Sequence, residues 1–144
     1  MRVAAGVLLI MMALVNAGAG ILYLAGGGLS TVAGNVADEV AKEGGEGAAG
    51  AKKAGEEVKL VGAKLYGMSA FLIELLGLQI AAAVFLFMNK KAGFIMVVAG
   101  LGLLAEVLGI VLTVFGMLNA FGIVVAIFAF LGANAVKSGA PKPA

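Results

Sequence analysis

Apolar positions along this chain come in long unbroken runs, with neither the alternation of half-buried strands nor the split faces of soluble helices. Between Val3 and Ala37 no side chain is charged, Tyr66–Met88 carries only Glu74, and Ala92–Val136 carries only Glu106. A helix needs about 20 mostly apolar residues to cross a hydrocarbon core about 30 Å thick. The last zone is about twice that length and must break, and Gly116-Met-Leu-Asn119-Ala-Phe-Gly122 offers the turn, because Asn and Gly favour turns. The pattern predicts transmembrane helices near residues 3–28, 66–88, 92–117 and 120–136, with a polar outer loop at 30–65. Continuous apolarity argues for helices over barrel strands. The expected fold is all-α: one membrane domain, 1–144, forming an antiparallel four-helix bundle.

The polar stretch reads as low-complexity Ala, Gly, Glu and Lys. Gly44–Gly50 predicts a flexible break, because glycine costs about 1 kcal/mol per helical position relative to Ala. Flanking it, Asp38–Lys42, Lys52–Glu56 and Lys53–Glu57 are spaced i,i+4, which supports short exposed helices in a solvated linker. Val58, Leu60, Val61 and Leu65 either lie along the membrane surface or extend the second helix outward. Gly26-Gly-Gly28 is the expected end of the first helix. Arg2 followed by an apolar stretch and Ala17-Gly18-Ala19 has the outline of a signal peptide, but apolarity runs on through Leu24, which favours a retained span.

Composition deepens this picture. The chain is 62% hydrophobic and 12% charged, against about 25% charged in soluble domains, and its mean hydropathy is +1.13. Without Cys there is no disulfide, thiolate nucleophile or thiolate metal site, and without His the usual proton shuttle and metal ligand are gone. Any metal would be hard and oxygen-bound, and neither a metal nor a cofactor is expected. No nucleophile–base set is visible, so the expectation is a protein that is not an enzyme. Charge sets orientation: with four spans, Arg2, Lys90, Lys91, Lys137 and Lys142 share one side with no side-chain acid. Short cytoplasmic loops are rich in Lys and Arg, so both termini are expected inside, in a prokaryotic cytoplasmic membrane. The net charge of +2 is then a topology signal, not a nucleic-acid footprint.

Three helices carry small residues at 3/4 spacing: Gly67, Ala70, Glu74, Gly77 and Ala81; then Gly102, Glu106, Gly109, Thr113 and Gly116; then Gly122, Ala126, Ala129 and Ala133. In lipid such faces let helix backbones approach closely, so they are expected to pack. Glu74 and Glu106 lie within the stripes, each 16 residues from Lys90, which predicts a similar depth about 24 Å from the turn. Two facing acids would not both stay ionised and would share a proton or bind a cation. Three roles stay open for them: interhelical hydrogen bonding, a proton or cation site, and a lipid or small-ligand contact. Asn16, Gln79 and Thr113 are candidate secondary polar contacts, Gln79 pointing about 140° away from Glu74.

An intramembrane Glu in a glycine-rich helix resembles the rotor-ring proteolipids of ATP synthases; this chain departs from them in lacking an Arg-Gln-Pro-type hairpin loop and in its long polar 30–65 segment. The topology resembles that of claudins and tetraspanins, whose outer-loop Trp and Cys signatures are missing here. Neither resemblance transfers a residue role. The expectation is a small tetraspan subunit, in contact with the lipid bilayer and with copies of itself or other membrane subunits. The alternative is a proton or cation pathway through Glu74 and Glu106.

Overall fold

The computed structural model describes residues 1–112 and 117–139. Four helices follow in order, α1 Arg2–Lys42, α2 Ala48–Phe87, α3 Ala92–Leu112 and α4 Met117–Lys137. Each is long and apolar enough to cross a membrane, which makes the chain an all-α integral membrane protein by length and composition. Asn119, expected in the break between the last two helices, lies inside α4. Thr113 and Gly116 fall outside the described residues.

Residues 30–65, expected as a loop, are helical except for the short turn at 43–47. Gly26-Gly-Gly28 does not end the first helix, which runs on to Lys42. The reason is a close backbone contact that composition hides. The chain divides into two compact units, Gly18–Phe71 and a second made of Met1–Ala17 with Leu72–Ala144. In the first unit, small residues recur every seven positions on both arms: Gly20, Gly27 and Gly34 on α1, and Gly55, Gly62 and Ser69 on α2. All six are buried. They meet in antiparallel register. A Cβ on Gly62 would stand 3.2 Å from the Gly27 carbonyl oxygen, and one on Gly27 3.2 Å from that of Gly62. Gly34 and Gly55 repeat this relation at 3.2 Å each way. Ser69 Oγ donates to the Gly20 carbonyl at 2.8 Å, closing the series. A seven-residue period is that of a left-handed supercoil. Here glycine's propensity penalty of about 1 kcal/mol is offset by backbone contact that no other residue would allow.

Lys59 bonds to Asp38 across the same hairpin. The hydrogen bond from Lys59 holds the Asp38 carboxyl below the ordinary aspartate range, with its charge and those of Lys42 and Lys52 adding to the effect. A lowered carboxylate pKa contributes stability above the unfolded value, near 3.9, that is lost as pH falls through the folded value. The pair is half-exposed, so the effect is small. Protection factors over 34–60, taken relative to intrinsic exchange at each pH, should fall as pH drops below about 4, and Asp38→Asn should remove that excess loss of protection. An excess that survives in Asp38→Asn would place its origin elsewhere.

In the second unit, segments of all four helices enclose one core. Leu9, Leu86, Ile95, Val98 and Val125 are its largest fully buried members, among Ala5, Ala82, Ala83, Ala129 and Ala133. Gly132 lies where a Cβ would sit 2.9 Å from both Ala5 Cβ and Leu86 Cδ2, so α1, α2 and α4 converge there. Phe85 and Phe94 stack edge to face at 5.3 Å beside the turn between α2 and α3. In that turn Asn89 and Lys91 both take positive φ, 56° and 57°.

Candidate functional site

Glu106 is the acid that the fold encloses. On α3, Ile95, Val98, Ala99, Ala105, Glu106 and Gly109 are buried, a 3/4 spacing that defines one inward face. The facing stripe of α4, Gly122, Val125, Ala126, Ala129 and Ala133, is mostly small. Gly122 makes the room: a Cβ there would lie 1.8 Å from Glu106 Oε1 and 2.3 Å from its Cδ. The carboxyl therefore occupies the space of a missing side chain. Asn119 Nδ2 donates to Glu106 Oε2 at 2.9 Å and approaches the Glu106 carbonyl at 3.5 Å. Gly109 accommodates this amide, since a Cβ there would stand 3.0 Å from Asn119 Nδ2. Sequence reasoning assigned Asn119 to a turn and missed it as a partner. The available signal was its isolation, as the one carboxamide in the otherwise apolar start of α4.

Beside Glu106 lies a cavity of about 10 Å³, with Gln79, Gly102, Gly122 and Met12 in its wall. That is room for about one water. Gln79 is itself buried and accepts a hydrogen bond from Asn16 Nδ2 at 3.0 Å, linking α1 to α2. Two polar contacts thus tie the helices in pairs, α1 to α2 through buried Asn16 and Gln79, and α3 to α4 through Glu106 and half-buried Asn119. A carboxylate and a carboxamide on a water-sized cavity can hold a solvent molecule or a proton between them.

Glu74 is placed differently. On α2 the buried positions are Leu72, Leu75, Gln79, Ala82, Ala83 and Leu86, which turns Glu74 to the exposed side. The structure does not bring the two carboxylates into one environment: Glu106 is enclosed and Glu74 is on the outer surface. The α2 stripe goes with it. Gly67, Ala70 and Gly77 are exposed, and a Cβ at Gly67 or Gly77 would meet nothing within 4 Å. Within this chain Gly67, Ala70 and Gly77 are unpacked: Leu72, Leu75 and Leu86 hold the inner face beside Gly77, and Gly62, Met68 and Ser69 hold it beside Gly67 and Ala70. On α3, Gly102 borders the cavity and Gly109 the Asn119 amide, so those two positions do meet neighbours. No protein-family model, curated protein or solved structure matches this chain.

Proposed function

We propose that this chain is a non-enzymatic tetraspan subunit that assembles, with copies of itself or with other membrane subunits, through the outer face of α2. The observation that carries this reading is the outer side of α2 within the second unit, where Glu74 is exposed and a Cβ on Gly77 would meet nothing within 4 Å. Small residues are the means by which membrane helices approach closely, and here they face outward. An acid at the helix centre costs about 2.5–3.5 kcal/mol on insertion scales, so lipid is a poor covering for Glu74 and a neighbouring helix a better one. Beyond the predicted span, Leu29, Val32, Val36 and Val40 form a second exposed apolar stripe on α1 at helical spacing. Both termini belong on the cytoplasmic side in this reading, with Arg2, Lys90, Lys91 and Lys137.

The test is the mass of the particle released gently from its native membrane. Gly77→Leu adds bulk where this chain has none nearby, so the single bundle should fold unchanged while the particle falls to the mass of one chain. A monomeric parent, or a variant particle of unchanged mass, would overturn the proposal. The second reading, a proton or cation pathway, is favoured by the cavity beside Gln79 and Glu106. Liposome flux that survives both Glu106→Gln and Glu74→Gln excludes it.

A further inference from the structure

We propose that the end of the bundle carrying Arg2, Lys90 and Lys91 holds the headgroup of an anionic phospholipid. The argument begins with Arg2, which is only 8% exposed. Its guanidinium donates to Asn89 Oδ1, a neutral acceptor. Buried charges are ordinarily paired with an opposite charge. Among the described residues the one ion pair is Lys59 with Asp38, so none of the eight side-chain acids neutralises Arg2. Six of those acids lie between Asp38 and Glu57, and Glu74 and Glu106 are each 16 residues along a helix from Lys90. That separation is about 24 Å of rise. Among the described residues Arg2 therefore has no counter-charge, and in this proposal the surroundings supply it.

The turn beside Arg2 is built rigidly around further cations. Asn89 N–H donates to the Leu86 carbonyl at 3.2 Å and Lys90 N–H to the Phe85 carbonyl at 2.9 Å, closing the end of α2. Ile95 N–H donates to the Lys91 carbonyl at 3.2 Å, so α3 starts directly after Lys91, and its first turn holds no acid. Lys90 and Lys91 stay exposed on a turn whose backbone is set at both ends. The partial positive charge of the α3 N-terminus has the same sign. A phosphodiester at the membrane surface matches this set: guanidinium takes two phosphate oxygens through paired donors, and lysines add mobile point charges. Basic sites between helix ends are known to recognise lipid headgroups by this chemistry. The location suits it too, since the turn joins two apolar spans and so lies at headgroup level.

The full chain, delipidated in neutral detergent, would be titrated with dioleoyl-phosphatidylglycerol or dioleoyl-phosphatidylcholine, and bound lipid read by native mass spectrometry. Phosphatidylglycerol should be preferred by about tenfold, the scale that one or two basic side chains give near a surface. Arg2→Gln and the double variant Lys90→Gln/Lys91→Gln should each bring the ratio close to one. Lys52→Gln/Lys53→Gln, in the hairpin, should leave it unchanged. Asn89→Asp places a carboxylate beside Arg2 and should lower the preference while raising the unfolding temperature of the lipid-free protein. Equal binding of the two lipids by the parent, full preference in Asn89→Asp, or an equal loss in the hairpin variant would each overturn the proposal.

Discussion

Gly62→Leu is expected to open the α1–α2 hairpin while the helices of the other unit keep their core. The Gly62 Cα faces the Gly27 carbonyl so closely that even a Cβ would stand 3.2 Å from it, with Ser30 Cβ also at 3.2 Å. A carbonyl fixed in a helix cannot rotate away as a side chain can, so the two arms must separate. Overpacking costs about 1–3 kcal/mol, which converts to amide exchange faster by about 5- to 150-fold if the opening is local. The measurement is hydrogen exchange resolved over 20–42 and 48–70. Gly50→Ala supplies the contrast: Gly50 lies in α2 with nothing within 4 Å, so alanine should slow exchange there, by the helix-propensity gain of about 1 kcal/mol. Unchanged protection in Gly62→Leu would mean that the glycine contacts contribute little.

Gly122→Ala should be the most damaging single methyl in the membrane core. Its Cβ would overlap Glu106 Oε1 at 1.8 Å, forcing the carboxyl out of an enclosed place and away from Asn119 Nδ2. Two effects compete: alanine raises helix propensity by about 1 kcal/mol, while the clash and the lost contact cost about 1–3 kcal/mol or more. With Glu106 present the clash wins and unfolding in detergent should occur at lower temperature. In a Glu106→Ala background only the propensity gain remains, so the same substitution should become neutral or stabilising. The double-mutant coupling is the diagnostic. Additive effects would show that Glu106 does not fill the Gly122 gap.

Much of the architecture was legible from charge placement alone. The gaps between Arg2 and Asp38, and the single acids in the later runs, locate three apolar zones, and the length of the last one requires it to hold two helices. Three things were not legible, for separate physical reasons. Gly26–Gly28 reads as a helix C-cap and Gly44–Gly50 as a break by glycine's intrinsic helix cost; the second reading meets the turn at 43–47, the first does not hold. At Gly27, Gly34, Gly55 and Gly62 the deciding quantity was contact with a partner helix, which becomes visible only when the two arms are laid antiparallel. The second failure concerned angle. Equal separation of Glu74 and Glu106 from Lys90 argues for equal depth, but depth says nothing about direction around a helix. Leu72, Leu75 and Leu86 mark the inner side of α2 and turn Glu74 away. The Asn119–Glu106 bond went unread because Asn119 carries two signals, turn former and hydrogen-bond donor, and only pairing across helices separates them.

The seven-residue recurrence of Gly20, Gly27 and Gly34 against Ser69, Gly62 and Gly55 makes the hairpin a graduated ruler. Each graduation is about 10 Å of helix, and the two arms are read in opposite directions. Lengthening or shortening is therefore tolerated only in whole graduations made on both arms together. An insertion of any other size would turn one set of glycines toward solvent and leave side chains where the backbones now touch. The reach of this hairpin is thus quantised, and variation in its length should come in paired steps of seven.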